Sequence, residues 1–147
     1  MLRVLQPIFV AVLFASVASA QTTWHVDASA TPPGVGSVAQ PYADLQFALA
    51  QPSTVSGDTL LVEPGTYVGG FDFLGKDVIV RSTQGWAVTI LDGNDQLVSV
   101  VSFVSGESAS AVLDGFTVTR GRGSVSIYPP VFLAGTEREG GGLRCAN

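Results

Sequence analysis

Short apolar segments separated by turn residues fill the sequence between Asp58 and Gly121. None of them has the three-to-four residue spacing of an amphipathic helix. The predicted strands are Thr59–Glu63, Asp77–Arg81, Val88–Leu91, Leu97–Phe103 and Val112–Thr119. Leu91-Asp92-Gly93 also recurs as Leu113-Asp114-Gly115, 22 residues later. A step of about twenty residues with turn residues at the corners predicts a solenoid of stacked strands.

Alternation within these strands predicts which side chains face the interior, because successive residues of a strand point to opposite faces. The residues predicted to lie inside form the pairs Leu60 and Val62, Val78 and Val80, Val88 and Ile90, Val101 and Phe103, and Phe116 and Val118. Glycines at the predicted corners supply backbone angles that other residues avoid; they are Gly65, Gly75, Gly85, Gly93, Gly106, Gly115 and Gly121. The predicted fold is therefore all-β, a parallel β-helix with coils over about 58–121.

One segment before the strands has a helical pattern. Leu45, Ala48 and Leu49 form an apolar stripe, and a proline stands at each end of the segment, so a short helix is predicted within about 41–52. A helix laid across the first coil would cover its apolar side chains and unpaired strand edge. A short strand, Trp24–Asp27, is predicted ahead of this capping helix.

The N-terminus has the pattern of a secretory signal peptide. Arg3 is followed by an apolar run over 7–17 and by Ala18-Ser19-Ala20, a small-residue cleavage site. The apolar run is shorter than the roughly 20 residues that a membrane span needs. We therefore expect removal of residues 1–20, a mature domain of 21–147 without a membrane span, and a secreted or cell-surface location. The alternative is an uncleaved N-terminal anchor.

The charge composition excludes one class of partner but identifies none. Charged residues make up 13% of the chain, the net charge is −5, and Lys and Arg do not cluster, so nucleic acid is excluded as an expected partner. Cys145 is the single cysteine. It fits an intermolecular disulfide, a free thiol, or a partner beyond the end of the sequence.

The repeat pattern is interrupted near the C-terminus. Residues 122–142 are rich in Gly, Pro and charge and predict an inserted loop, a feature that often forms the binding face of a repeat protein. Leu143-Arg144-Cys145 then has the pattern of a new strand. Because the sequence stops at Asn147, we expect a solenoid truncated at its C-terminus.

Several stretches together resemble the N-terminal part of secreted right-handed parallel β-helix proteins of the pectin-lyase-like superfamily. They are Trp24–Asp27, Gln40–Leu45, Gly57–Val62, Pro64–Tyr67, Thr89–Gly93, Leu113–Val118 and Gly140–Leu143. The resemblance implies a right-handed winding. It implies little about activity, because the superfamily contains polysaccharide lyases, glycoside hydrolases, epimerases and surface proteins. In such proteins the groove and the catalytic groups are carried by later coils.

Five charged residues are candidates for chemistry. The resemblance to β-helix lyases makes Asp92, Asp95 and Asp114 candidate Ca²⁺ ligands, since calcium takes six to eight oxygens. The competing interpretation is that Asp-Gly pairs serve turn geometry. Arg81 and Arg120, each at a predicted strand end, are candidates for binding a uronate, and the competing interpretation is a solvated strand end.

The other candidates are single residues or aromatic groups. His25 is the only histidine and has no predicted acid partner, so it is a poor candidate for a general base. Gly140-Gly141-Gly142 lacks the Lys of a phosphate loop and predicts a flexible joint or a close backbone approach. The aromatic residues considered for sugar stacking are Tyr67, Phe71, Phe73, Trp86 and Tyr128. Among them Phe71 and Phe73 are predicted to lie in the core, and Trp86 is the best candidate for an exposed ring.

No catalytic, cofactor-binding or metal site is assigned from the sequence, and Ca²⁺ is the one cofactor considered. The favoured hypothesis is a secreted or cell-surface β-helix module that binds a polysaccharide or surface glycan, or serves as a structural element. The alternative hypothesis is the N-terminal end of a polysaccharide lyase, pectate-lyase-like, or a related carbohydrate-active enzyme. A downstream coil that carries stacked acidic residues opposite an Arg or Lys would favour the enzyme, and further regular coils without such a cluster would favour the structural or binding module.

Overall fold

A computed structural model describes residues 20–96, 99–125, 138–139 and 141–146. These residues form an all-β fold with one short helix, α1 (Leu45–Ala50). The strands are β1 (Thr23–Val26), β2 (Thr59–Val62), β3 (Gly65–Val68), β4 (Phe71–Asp72), β5 (Ile79–Ser82), β6 (Thr89–Asp92), β7 (Val101–Phe103), β8 (Val112–Asp114), β9 (Thr117–Thr119), β10 (Ser124–Val125), β11 (Arg138–Glu139) and β12 (Leu143–Cys145).

Three parallel sheets contain most of the strands. The first sheet has the order β1-β2-β5-β8, the second β3-β6-β9 and the third β4-β7-β12, while β10 and β11 form a separate antiparallel pair. The chain visits the three sheets in a fixed order. We call β2-β3-β4 the first pass, β5-β6-β7 the second and β8-β9-β12 the third. The predicted strand at Leu143–Cys145 is confirmed as β12, which pairs with β7.

The spacing between paired strands is less regular than the sequence predicts. Thr59 pairs with Ile79 after 20 residues, and Ile79 pairs with Val112 after 33, because the connections differ in length. The recurring Leu-Asp-Gly motif also occupies non-equivalent places: its first copy ends β6 in the second sheet, and its second copy lies in β8 in the first. The motif therefore does not mark a structural repeat.

Burial confirms several predicted interior pairs and contradicts one. Leu60 and Val62, and Val78 and Val80, are fully buried. The prediction that Val88 and Ile90 face inward is wrong. Thr89 and Leu91 are fully buried instead, and Val88 is 46% exposed. Because the side-chain period of a strand is two, an error of one residue in phase exchanges its faces. The buried Thr89 hydroxyl is satisfied by Ser82 Oγ at 2.6 Å.

Two predicted boundaries are also corrected. The single strand predicted over Val112–Thr119 is two strands, β8 and β9, in different sheets, and Gly115 between them has a φ of 82° that suits glycine. Gly65, predicted to lie at a corner, is the first residue of β3, whose Tyr67 is buried. Within the predicted strand Leu97–Phe103, the structure forms β7, and residues 97–98 lie outside the described residues.

The predicted capping helix is present but shorter than its segment. Asp44 caps it by accepting a hydrogen bond from Phe47 N, and the helix ends before Pro52, which disfavours a helical residue ahead of it. The stripe Leu45, Ala48 and Leu49 is buried, as predicted.

Long-range polar contacts join α1 to the strands. Lys76 Nζ donates to the main-chain oxygens of Leu49 at 2.6 Å and of Gln51 at 2.9 Å, so it satisfies carbonyls at the helix C-terminus. The carboxamide of Gln46 accepts a hydrogen bond from Asp72 N at 2.7 Å and donates one to Asp72 O at 3.3 Å. The edge of β4 is thereby paired with a side chain in place of another strand.

A buried carboxylate ties the N-terminal strand to the first pass. Asp58 accepts hydrogen bonds from Thr22 N at 2.8 Å and from Trp24 Nε1 and Val55 N, both at 3.0 Å. Burial raises the pKa of this carboxyl, but these donors, together with the charge of Lys76, outweigh burial and lower the pKa below its usual range. Asp58 is therefore ionised and fully engaged inside the fold.

Candidate functional site

Two arginines and two aspartates meet where the chain leaves β6 and β9. We call Asp92, Asp95, Arg120 and Arg122 the charged corner. Asp92 ends β6, Arg120 directly follows β9, and Asp95 and Arg120 both have φ in the left-handed region, at 58° and 54°. These turns bring together carboxylates and guanidinium groups that are 28 residues apart for Asp92 and Arg120 and 27 apart for Asp95 and Arg122.

Arg120 forms an ion pair with Asp92. Its Nε donates to Asp92 Oδ1 at 2.7 Å, and its Nη2 contacts Oδ2, so the pair is bidentate. The hydrogen bonds from Arg120 and from Asn94 N lower the pKa of the Asp92 carboxyl, and the same partner raises the pKa of Arg120. The Asp92 side chain is only 7% exposed, so a uronate or another anion would have to displace it to reach this face of the guanidinium.

The ion-pair distances of Asp95, in the outer half of the charged corner, are longer than those of Asp92. Arg122 Nε and Nη2 lie 3.4 Å from Asp95 Oδ1, and Arg120 Nη1 lies 4.0 Å from Asp95 Oδ2. These distances exceed those of a strong charge-assisted hydrogen bond. Both partners are about half exposed, so each keeps polar atoms in contact with solvent.

The other candidate arginine belongs to a separate ion pair. Arg81 lies within β5 rather than at its end, directly beside Asp114 of β8 in the first sheet, and its Nε is 2.8 Å from Asp114 Oδ2. Arg81 and Arg120 therefore lie on different sheets, each with its own carboxylate. The structure does not bring them together into one anion site.

The three candidate calcium ligands do not converge either. Asp92 and Asp95 share the charged corner with two guanidinium groups, while Asp114 lies on the first sheet. Across the part of the chain that the structure describes, no group of three or more His, Cys, Asp or Glu side chains is placed to hold a metal ion. The carboxylates of the charged corner instead neutralise arginines.

The aromatic candidates separate into core and surface. Tyr67, Phe71 and Phe73 are buried, which confirms the two Phe predictions, and burial raises the pKa of Tyr67 to about 12. Trp86 is 69% exposed, as the sequence suggests. Tyr128 lies outside the described residues.

Trp86 is positioned by the second sheet. Its carbonyl oxygen accepts a hydrogen bond from Thr117 Oγ1 at 2.8 Å, and the exposed Val88 lies two residues later, directly before β6. Thr66, Ile90 and Thr117 are register partners on three neighbouring strands, on the side opposite the buried Leu91. We call Trp86, Val88 and these three residues the Trp86 face: an exposed indole, an exposed valine and the outward side chains of the second sheet.

The remaining single-residue candidates are dispersed. His25 lies on β1 beside Leu61 of β2, and Cys145 is exposed on β12. Gly141 packs against the backbone of Gly121, so of the two predictions for the glycine run a close backbone approach is confirmed at this position. A shallow depression in the 27–41 loop was not predicted. Asp27 is its one charged lining residue and bonds to Ser29.

The chain matches no family model, no curated protein and no solved structure in the three comparisons made. Within the described residues, no helix is long and apolar enough to cross a membrane.

Proposed function

We propose that the three sheets wind as a right-handed parallel β-helix, similar to the pectin-lyase-like proteins, and that each pass is one coil. Two observations support this winding. The chain visits the sheets in the same order three times, with parallel pairing at every step. Connections between parallel strands are also right-handed in nearly all proteins. The helix α1 closes the first coil in this arrangement.

We further propose that the protein is a secreted or cell-surface module that binds a neutral polysaccharide or surface glycan through the Trp86 face. The observation that carries this proposal is the 69% exposure of Trp86, whose main chain is bonded to Thr117 on the second sheet. An indole ring offers a broad apolar surface for the C–H face of a sugar. The Thr66 hydroxyl can both donate and accept a hydrogen bond, as sugar hydroxyls require, while the Thr117 hydroxyl donates to the Trp86 carbonyl oxygen and is left as an acceptor.

The charged corner fits this role less well than the Trp86 face. Arg120 is occupied by Asp92, and the net charge of −5 gives no general attraction for acidic polysaccharides. We therefore place the glycan contact on the second sheet and give the charged corner a structural role.

Binding to immobilised plant and microbial polysaccharides tests the proposal. Wild type should bind at least one neutral polysaccharide, and Trp86→Ala should weaken binding at least tenfold, because the contact between the C–H face of a sugar and the indole is lost. Val38→Ala truncates an apolar side chain that is 77% exposed in the 27–41 loop, and this variant should bind as wild type does. Equal binding by Trp86→Ala and wild type would exclude this face, and no binding by wild type would leave a structural module.

Secretion is tested separately. Mass spectrometry of the exported protein should find Gln21 as its first residue. A mature form that still carries Met1 would favour the anchored alternative.

A further inference from the structure

The connection from the first sheet to the second is longer in the second pass than in the other two. Residues 63–64 join β2 to β3, and residues 115–116 join β8 to β9. Residues 83–88 join β5 to β6, and we call them the Trp86 loop. Since β3 and β9 pair with β6 although their own connections have two residues, the second sheet does not require the longer one. The additional length instead carries the exposed Trp86.

Hydrogen bonds tie the Trp86 loop to the passes on both of its sides. On the side of the first pass, Thr83 Oγ1 donates to Glu63 Oε2 at 2.8 Å. On the side of the third pass, Thr117 Oγ1 donates to Trp86 O at 2.8 Å. The loop is therefore held at its first residue and again at the residue that carries the indole.

A buried pair of hydroxyl groups supports the Trp86 loop from inside. Ser82 and Thr89, both buried, flank the loop, and their Oγ atoms are 2.6 Å apart. Ser82 Oγ also accepts hydrogen bonds from Gly85 N at 2.9 Å and from Gln84 N at 3.3 Å. Two N–H groups that lie outside any strand thereby have a side-chain acceptor.

Core packing alone does not account for a serine at this position. The register partner of Ser82 in the first pass is Val62, which is fully buried. A valine at position 82 would be apolar like its neighbour but would offer no acceptor to Gln84 N and Gly85 N. A buried hydroxyl also costs free energy unless it is hydrogen-bonded. The bonds from Ser82 to the loop therefore explain why the hydroxyl is there.

We propose that Ser82 and Thr89 are positioning residues that hold the Trp86 loop in one conformation, with the indole directed outward before a ligand binds. Gly85, whose φ is 86°, supplies the left-handed turn directly before Trp86. A loop that is already ordered loses less conformational entropy on binding, so its ligand is bound more tightly. The effect on affinity rests on the glycan binding proposed above, whereas the ordering of the loop does not.

Nuclear magnetic relaxation of the backbone amides, combined with polysaccharide binding, tests the proposal on the exported chain. In wild type, the order parameters of the Trp86 loop should be about 0.85, the value of rigid backbone. Ser82→Ala should lower those of residues 84–87 below about 0.6 and weaken polysaccharide binding about fivefold, although Trp86 is retained. Thr89→Val keeps the side-chain shape without the hydroxyl and should change both quantities in the same direction.

Thr54→Val is the matched control for the loss of a buried hydroxyl. Thr54 is fully buried, and its Oγ1 donates to Ala48 O at 2.9 Å, beside α1 and outside the Trp86 loop. This variant should lose stability against denaturant, as Ser82→Ala does, but should keep the loop order and the polysaccharide affinity of wild type. If Ser82 only stabilised the fold, the two variants would behave alike.

The relaxation of wild type and of Thr89→Val decides the proposal even if Ser82→Ala fails to fold. Order parameters below about 0.6 in the wild-type loop would overturn it. A loop that stays as ordered as wild type in the variants would also overturn it, as would unchanged polysaccharide affinity with a disordered loop. Absence of polysaccharide binding by wild type would remove the glycan proposal alone, because relaxation measures the positioning of the loop without a ligand.

Discussion

Gly121 and Gly141 touch through their backbones. A Cβ atom on Gly121 would overlap the carbonyl oxygen of Gly141 and would lie 2.6 Å from Val100 Cγ2. In the reverse direction, a Cβ on Gly141 would lie 2.6 Å from Gly121 O. This close backbone contact positions the start of the β7–β12 pairing, because Gly141 O also accepts a hydrogen bond from Val100 N at 3.3 Å, directly before β7. The third sheet is complete only if both positions lack a side chain.

Gly121→Ala should therefore destabilise the fold by about 1–3 kcal/mol, the usual range for overpacking a closed site. Gly142→Ala is the matched control, because its Cβ would meet only Val118 Cγ1 at 3.7 Å, an ordinary contact distance. Chemical denaturation measures both free energies of unfolding. Equal stability of the two variants would show that β12 moves aside at little cost.

Gln46→Ala should expose the edge of β4 and lower the free energy of unfolding. The variant leaves Asp72 N and O without their partners, and an unsatisfied, partly buried group costs about 1–3 kcal/mol. Gln84→Ala truncates a solvent-exposed glutamine and serves as the control. Thermal unfolding should show a clearly lower stability for Gln46→Ala than for Gln84→Ala. Equal stability of the two variants would mean that water replaces the carboxamide.

The Asp58 carboxylate predicts a specific loss of stability in acid. The pKa of Asp58 in the folded protein is below its ordinary value of 3.8. The stabilisation is therefore fully present above pH 3.8 and is lost as pH falls through the lower, folded pKa. Asp58→Asn cannot accept all three hydrogen bonds, so it should be less stable at neutral pH and its stability should change less in acid.

Denaturation at a series of pH values checks this expectation. Asp114→Asn, which alters an exposed ion pair worth about 0–1 kcal/mol, should follow the wild-type profile closely. Parallel profiles for wild type and Asp58→Asn would assign the acid sensitivity to another carboxylate.

The chain should not cleave acidic polysaccharides. Incubated with polygalacturonate or alginate and Ca²⁺, it should give no unsaturated products, because Arg81 and Arg120 lie on different sheets and each is paired with a carboxylate. Absorbance of the unsaturated sugar follows the reaction. Turnover that Asp92→Ala or Asp114→Ala abolishes would instead support the enzymatic alternative and a role for those carboxylates beyond ion pairing.

The sequence pattern predicted the interior of the first sheet well, since the buried Leu60, Val62, Val78 and Val80 lie in or directly before strands with strong alternation. It failed at β3, because Pro64-Gly65 is typical of a turn and a short strand carries little periodicity of its own. The pairing that makes this segment a strand comes from β6, which is distant in sequence.

The charged corner could not have been predicted from spacing. The Asp92–Arg120 pair depends on which strands are neighbours and on connections of unequal length. The sequence did single out both residues as chemically notable, but only the structure shows that they neutralise each other. Trp86 was easier to predict, because a large aromatic residue within a turn has no strand neighbours to cover it.

The connection between the second and third sheets lengthens with each pass, from residues 69–70 to 93–100 and then to 120–142. The strands it joins nevertheless keep their register, since Phe71 and Leu143 both pair with Val101. Each doubling of loop length adds only about 0.6 kcal/mol of closure entropy. The connection between the second and third sheets should therefore tolerate insertions: foreign peptides grafted into it should be displayed on the surface while the scaffold keeps its fold.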